Sequence, residues 1–172
     1  FYIRYPDAIY LEQLTEMVDN AARAAALGTG TKVKIDHYGK DRDGIAVATL
    51  GEVGFAYLKK FGGTNVIEEP GKPQGYEETG SVSSAIPGLG LTAQTSRAPN
   101  HTYEMEADAL TEAGHKGFVV DAQAMAAVLF DFATHPDYRV AVKKEFDGIK
   151  ALFGKYQEAL KRVYVLPKVP EP

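Results

Sequence analysis

The chain has 172 residues, 45% of them hydrophobic and 24% charged, which is enough apolar material for one sizeable core, or for one domain plus part of another. A formal charge of −4 leaves no basic footprint for nucleic acid, and no unbroken apolar run approaches the roughly 18 residues that span a membrane. The absence of cysteine excludes disulfides and thiolate metal sites and is compatible with the cytoplasm, the expected location.

Residues 1–5 (Phe-Tyr-Ile-Arg-Tyr) are aromatic-rich and alternate in polarity, which predicts a strand. Pro6 breaks it, and Asp7 is placed to cap a helix from Ala8, with Leu11, Leu14, Val18, Ala21 and Ala25 at helical spacing. Gly28 is the expected C-terminal stop. Residues 31–38 alternate again, with Val33 and Ile35 opposed to Lys32, Lys34 and Asp36, so 1–38 reads as a β-α-β unit. Such a unit is too small to bury both its faces, and a chain that opens inside an element reads as part of something longer.

The charged turn Lys40-Asp-Arg-Asp-Gly44 marks the predicted domain boundary, dividing 1–39 from 40–172. A second helix is predicted over 45–61, with Val47, Leu50, Tyr57, Leu58 and Phe61 as its apolar stripe. Residues 64–101 are rich in Gly, Pro, Ser and Thr and irregular, apart from a short apolar run at 89–93 that fits a buried strand. A third helix is predicted over 117–134, with Phe118, Ala122, Met125, Leu129 and Phe132 facing inward. A fourth starts at Pro136 and carries Val142, Phe146, Ile149 and Phe153. The Pro-rich tail 166–172 is expected to fray.

Nucleophile and nucleotide motifs fail on context. Ser81, Ser83 and Ser84 lie outside any G-x-S-x-G elbow. Gly88-Leu-Gly-Leu-Thr-Ala93 matches the dinucleotide fingerprint by letter, but Pro99 closes the stretch that follows, where a helix would have to begin. Of the four histidines, His135 reads as a helix-end residue and His37 as a surface or strand-edge residue. His101 follows the apolar run in an irregular segment, a place that suits either an active residue or a satisfied loop histidine. His115, in Ala113-Gly-His-Lys-Gly117, fits either an anion site at a helix start or a solvated entry turn. The adjacent pairs Glu68-Glu69 and Glu77-Glu78 read as solvated loop charges, and no H-E-x-x-H spacing is present.

Three segments, taken in order, resemble the M20 metallopeptidases, in particular the amidohydrolase branch of the aminobenzoyl-glutamate hydrolase type. They are Tyr2-Ile-Arg4-Tyr-Pro with Ala22-Arg-Ala-Ala-Ala-Leu-Gly-Thr-Gly-Thr31; Gly75-Tyr-Glu-Glu-Thr-Gly-Ser-Val-Ser-Ser-Ala-Ile-Pro87; and His101-Thr-Tyr followed by Gly114-His-Lys-Gly117 and an Ala-rich helix.

The resemblance implies an α/β fold: the C-terminal part of a mixed-sheet, zinc-peptidase-like catalytic domain over 40–172. It would be preceded by the last β-α-β of a ferredoxin-like lid or dimerisation domain over 1–39. It implies hydrolysis of a small amide or dipeptide-like substrate by water activated at two divalent ions, zinc or manganese. His101 falls at the family's C-terminal metal ligand. Arg4 falls where a lid-domain arginine reaches a substrate carboxylate, a task suited to its bidentate fork, and a surface strand arginine is the other reading. His115 matches as a second substrate-side residue, and Glu78 stands where the branch has Asp, one methylene shorter. The remaining ligands and the Glu general base are implied in an N-terminal half or complementary chain, so no catalytic residue is assigned here. A homodimer through the lid is implied, and an inactive binding or assembly module that kept the fold is the competing reading.

Overall fold

The computed structural model describes residues 1–5, 7–41, 43–68 and 78–163, without the side chains of Glu78 and Thr79. Within them six helices follow one another: α1 (Ala8–Thr29), α2 (Ala48–Lys60), α3 (Glu78–Ser83), α4 (Tyr103–Ala109), α5 (Glu112–Thr134) and α6 (Pro136–Val163). No strand forms among the described residues, where a single parallel bridge joins Ala46 to Gly88. The expected α/β fold, with its mixed sheet and its β-α-β unit, is therefore corrected to a helical one. Alternation tells which side chains share a face of an extended segment; it does not supply a ladder partner. Residues 1–5 and 31–38 flank α1 without pairing, and most of them are exposed. The tail beyond 163, Glu69 and the start of the 75–87 motif lie outside the described residues.

Asp7 caps α1 as its sequence position implies, its carboxylate accepting from the Tyr10 N–H at 2.8 Å. The helix runs on through Gly28 and stops at Gly30, whose φ of 67° lets its N–H reach the carbonyls of Ala26 and Leu27. α1 buries none of its residues and packs on α6 alone among the described elements.

The core sits between α2, α5 and α6. Leu50, Phe55 and Leu58 of α2 are buried with Val120, Ala124 and Val128 of α5 and Val142 and Phe146 of α6. Ile45 and Val47, just ahead of α2, join them, and Leu89, Leu91 and Ala93 pack alongside without regular secondary structure, where a strand was expected. The Tyr57 hydroxyl donates to Asp131 Oδ2 at 2.6 Å and ties α2 to α5.

Of the residues expected to face inward on α5, only Phe132 packs against the core. The helix's buried positions are Gly114, Gly117, Val120, Ala124 and Val128, while Phe118, Met125 and Leu129 are exposed. The helix is apolar nearly all round, so periodicity alone cannot choose its inner face. At 23 residues, with a mean hydropathy of 1.3 over its most apolar window, it is long and apolar enough to cross a membrane by composition, although Asp121, Gln123 and Asp131 interrupt the run. The α2-facing side is nevertheless packed into the core.

α2 begins at Ala48 after Val47, which has no capping side chain. Glu145 of α6 supplies the cap from far along the sequence. Its carboxylate accepts from the Ala48 N–H at 2.6 Å and from the N–H and hydroxyl of Thr49 at 3.0 and 2.5 Å. Burial alone would raise the Glu145 pKa; the bonds from Thr49 and Ala48 outweigh it and hold the group below its ordinary value of 4.5. A depressed carboxylate stabilises the fold above its unfolded pKa, and that contribution is lost as pH falls through the folded value. Glu145→Gln is therefore expected to lower stability by about 1 kcal/mol at neutral pH. The gap between variant and wild type in urea unfolding narrows as the pH is taken below 4.5.

Candidate functional site

Two of the three site residues read from the sequence lie on neighbouring elements. His101 ends the segment 94–102 that leads into α4, and His115 lies on the first turns of α5, which packs against α4. Arg4 is on the segment ahead of α1, with its guanidinium 5.1 Å from the Tyr2 ring centroid. No hydrogen bond or ion pair among the described residues joins His101 to His115. Nor does any group of three or more His, Cys, Asp or Glu side chains among them suit a metal ion.

The backbone at His101 is unusual. It is exposed and has a φ of 65°, the left-handed region, which costs an L residue roughly 1–2 kcal/mol. Histidine enters that region more readily than most side chains, but the surrounding chain must still hold it there. Several bonds do so. The Ser96 hydroxyl donates to Asp108 Oδ2 at 2.6 Å and accepts from the Ala98 N–H at 2.8 Å. The Thr102 hydroxyl donates to the Pro99 carbonyl at 2.8 Å and accepts from the Met105 N–H at 3.2 Å, capping α4. Upstream, Gln94 Oε1 accepts from Asn65 Nδ2 at 2.6 Å and from Thr64 at 3.1 Å, and its amide donates to the Ser96 carbonyl. The imidazole is thus presented to solvent on a turn bonded at both ends.

The entry to α5 is built by close contact. Thr111 caps it, accepting from the Gly114 N–H at 3.1 Å and donating to the Asp108 carbonyl at 2.6 Å. A Cβ on Gly114 would collide with the Asp108 carbonyl and lie 2.9 Å from Ala109 Cα; one on Gly117 would lie 2.5 Å from the Gln94 carbonyl oxygen. Gly114 therefore lets α5 press against the end of α4, and Gly117 lets it press against the segment carrying His101. The sequence places this motif at the entry of a helix starting near 117, whereas α5 begins at Glu112, five residues earlier. The His115 N–H is taken up by the Thr111 carbonyl within the helix, and its side chain is exposed.

The other two histidines hold the places their sequence context implied. His37 Nε2 is 2.9 Å from Asp19 Oδ2 on the surface. His135 ends α5, with its N–H donating to the Asp131 carbonyl and Nδ1 3.1 Å from the Thr134 hydroxyl. Ser96 and Asp108 escaped the sequence reading. The local signal for Ser96 was a serine two residues ahead of an N–H it can cap, a common turn device; its bond to Asp108, twelve residues on, had no local signal.

No family model matches the chain. No solved structure matches it. Over 150 residues it is 30% identical to an Xaa-Arg dipeptidase of Mus musculus, an alignment that takes in 85% of this chain and 35% of that protein. The chain thus spans about a third of the length of the curated relative it matches.

Proposed function

We propose that this chain is the C-terminal part of a metal-dependent dipeptidase of the M20 type, in which His101 contributes one imidazole to the metal centre. The observation that carries the reading is His101 itself. It is an exposed imidazole in a left-handed conformation, fixed by bonds on either side, at the position where the M20 resemblance places a ligand. The likeness to a dipeptidase over 85% of the chain supports the same class.

A tetrahedral or five-coordinate centre needs three or four converging donors. His101 fits as one of them by chemistry and exposure, and the described residues hold no complete set. The other donors, and the general base, are assigned to the part of the protein outside this chain, since the alignment covers only 35% of the relative. A divalent ion in such a site supplies a water acidic enough to attack an amide at neutral pH. The residues of this chain then bind and orient. His101 holds the centre from one side, and Arg4 presents two parallel N–H donors to the substrate carboxylate. His115 offers a polar contact from the start of α5. Following the relative, the substrate class is a dipeptide with arginine in its second position. We place the unit boundary after residue 39, because α1 buries none of its residues fully and packs on α6 alone among the described elements.

The test is hydrolysis of Xaa-Arg dipeptides by the full-length protein, before and after chelation and after restoring Zn²⁺ or Mn²⁺. Turnover that vanishes with chelator and returns with metal is the expected result, and the 172-residue chain alone is expected to give none. Turnover indifferent to chelation, or released by the short chain, overturns the reading.

A further inference from the structure

We infer that Asp108, acting through Ser96, is a positioning residue that sets the direction in which His101 presents its imidazole; this rests on the reading of His101 as a metal ligand. The Asp108 carboxylate accepts from the Ser96 hydroxyl at 2.6 Å, and the same hydroxyl accepts from the Ala98 N–H at 2.8 Å. A single oxygen thereby closes the turn from which residues 99–101 rise. The Asp108 main chain does a second job, since its carbonyl accepts from both the N–H and the hydroxyl of Thr111, the cap of α5. Asp108 therefore joins the histidine turn to the helix bearing His115. Both Ser96 and Asp108 are half-buried, so water competes poorly for the bond between them.

The link matters because His101 sits at a φ of 65°, where a residue persists only if its surroundings over-determine it. With Ser96 unbonded, the turn can relax to an ordinary backbone conformation, and the Cα–Cβ direction of His101 changes with it. A ligand direction set through the backbone has the same consequence as one set by a bond to the ring: the donor is presented at the right angle before the metal arrives.

The experiment uses the full-length protein stripped of metal. Zn²⁺ is titrated in competition with a chromophoric chelator, Co²⁺ absorption reports ligand geometry, and unfolding of the metal-free protein is followed in parallel. Ser96→Ala is expected to weaken Zn²⁺ binding by about tenfold and to alter the Co²⁺ spectrum. Ser96→Thr, which keeps a hydroxyl, is expected to bind as the wild type does. Asp108→Asn keeps the shape and weakens the acceptor, so it should fall between them while the metal-free protein unfolds close to the wild-type midpoint; it also carries the test if Ser96→Ala does not fold. If Ser96→Ala and Asp108→Asn both bind Zn²⁺ as the wild type does while His101→Ala loses it, the positioning role is wrong and the ligand reading stands. If His101→Ala binds Zn²⁺ like the wild type, the ligand reading fails and the positioning role goes with it.

Discussion

On the proposed reading of His101 as a metal ligand, replacing it with alanine in the full-length protein is expected to cut metal-dependent dipeptide hydrolysis on the order of 10³-fold or more, with little change in folding stability. The two halves of this expectation have separate causes. The imidazole is exposed and makes none of the hydrogen bonds that hold its own turn, so its removal leaves Ser96, Thr102 and Gln94 bonded as before. Alanine at a φ of 65° is somewhat more strained than histidine, a small cost confined to one residue. Activity should suffer fully, because a centre that loses one of a few donors loses affinity for the ion and the geometry that acidifies its water. Steady-state assay at saturating Zn²⁺, with bound metal measured after desalting, checks both parts. A variant that keeps both its metal and its turnover rules out His101 as a ligand.

The helices were legible where local chemistry decides and illegible where distant chain decides. Asp7, Pro136 and the stripe Val142–Phe146–Ile149 announced α1 and α6, since a cap or an apolar repeat is written within a few residues. Glu145 caps α2 from 97 residues away, a relation that no window of sequence contains. The strands failed for the same reason in reverse. The alternation in 1–5 and 31–38 is real, but a strand is a relation between two segments, and no partner for either lies among the described residues. α4 was missed because seven residues capped by Thr102 are too short to show a period. At the candidate site, His101 was reachable only through the family resemblance; composition and spacing left it no different from a loop histidine. Its left-handed backbone and the Ser96–Asp108 link are properties of the folded turn.

Gly114→Ala decides whether the glycines of Gly114-His-Lys-Gly117 are packing residues. In an open helix, glycine to alanine gains about 1 kcal/mol through lost backbone freedom in the unfolded chain. Gly148, in α6, is such a place: a Cβ there meets nothing within 4 Å. Gly148→Ala is therefore expected to stabilise the protein by about 1 kcal/mol. At Gly114 the new Cβ runs into the Asp108 carbonyl and the backbone of Ala109. Neither can rotate aside as a side-chain tip would, so α5 must lift from α4 or α4 must shift. Overpacking of this kind costs about 3 kcal/mol, which exceeds the helix gain and leaves a net loss near 2 kcal/mol. The opposite signs of the two variants in urea unfolding make the comparison free of any general effect of alanine. Because the obstructing carbonyl belongs to Asp108, the Gly114 variant should also weaken Zn²⁺ binding in the full-length protein, whereas Gly148→Ala should not. A Gly114 variant that is stabilised like Gly148→Ala would mean that α5 does not press on the end of α4 at Asp108, and the route from Asp108 to His101 would lose its anchor.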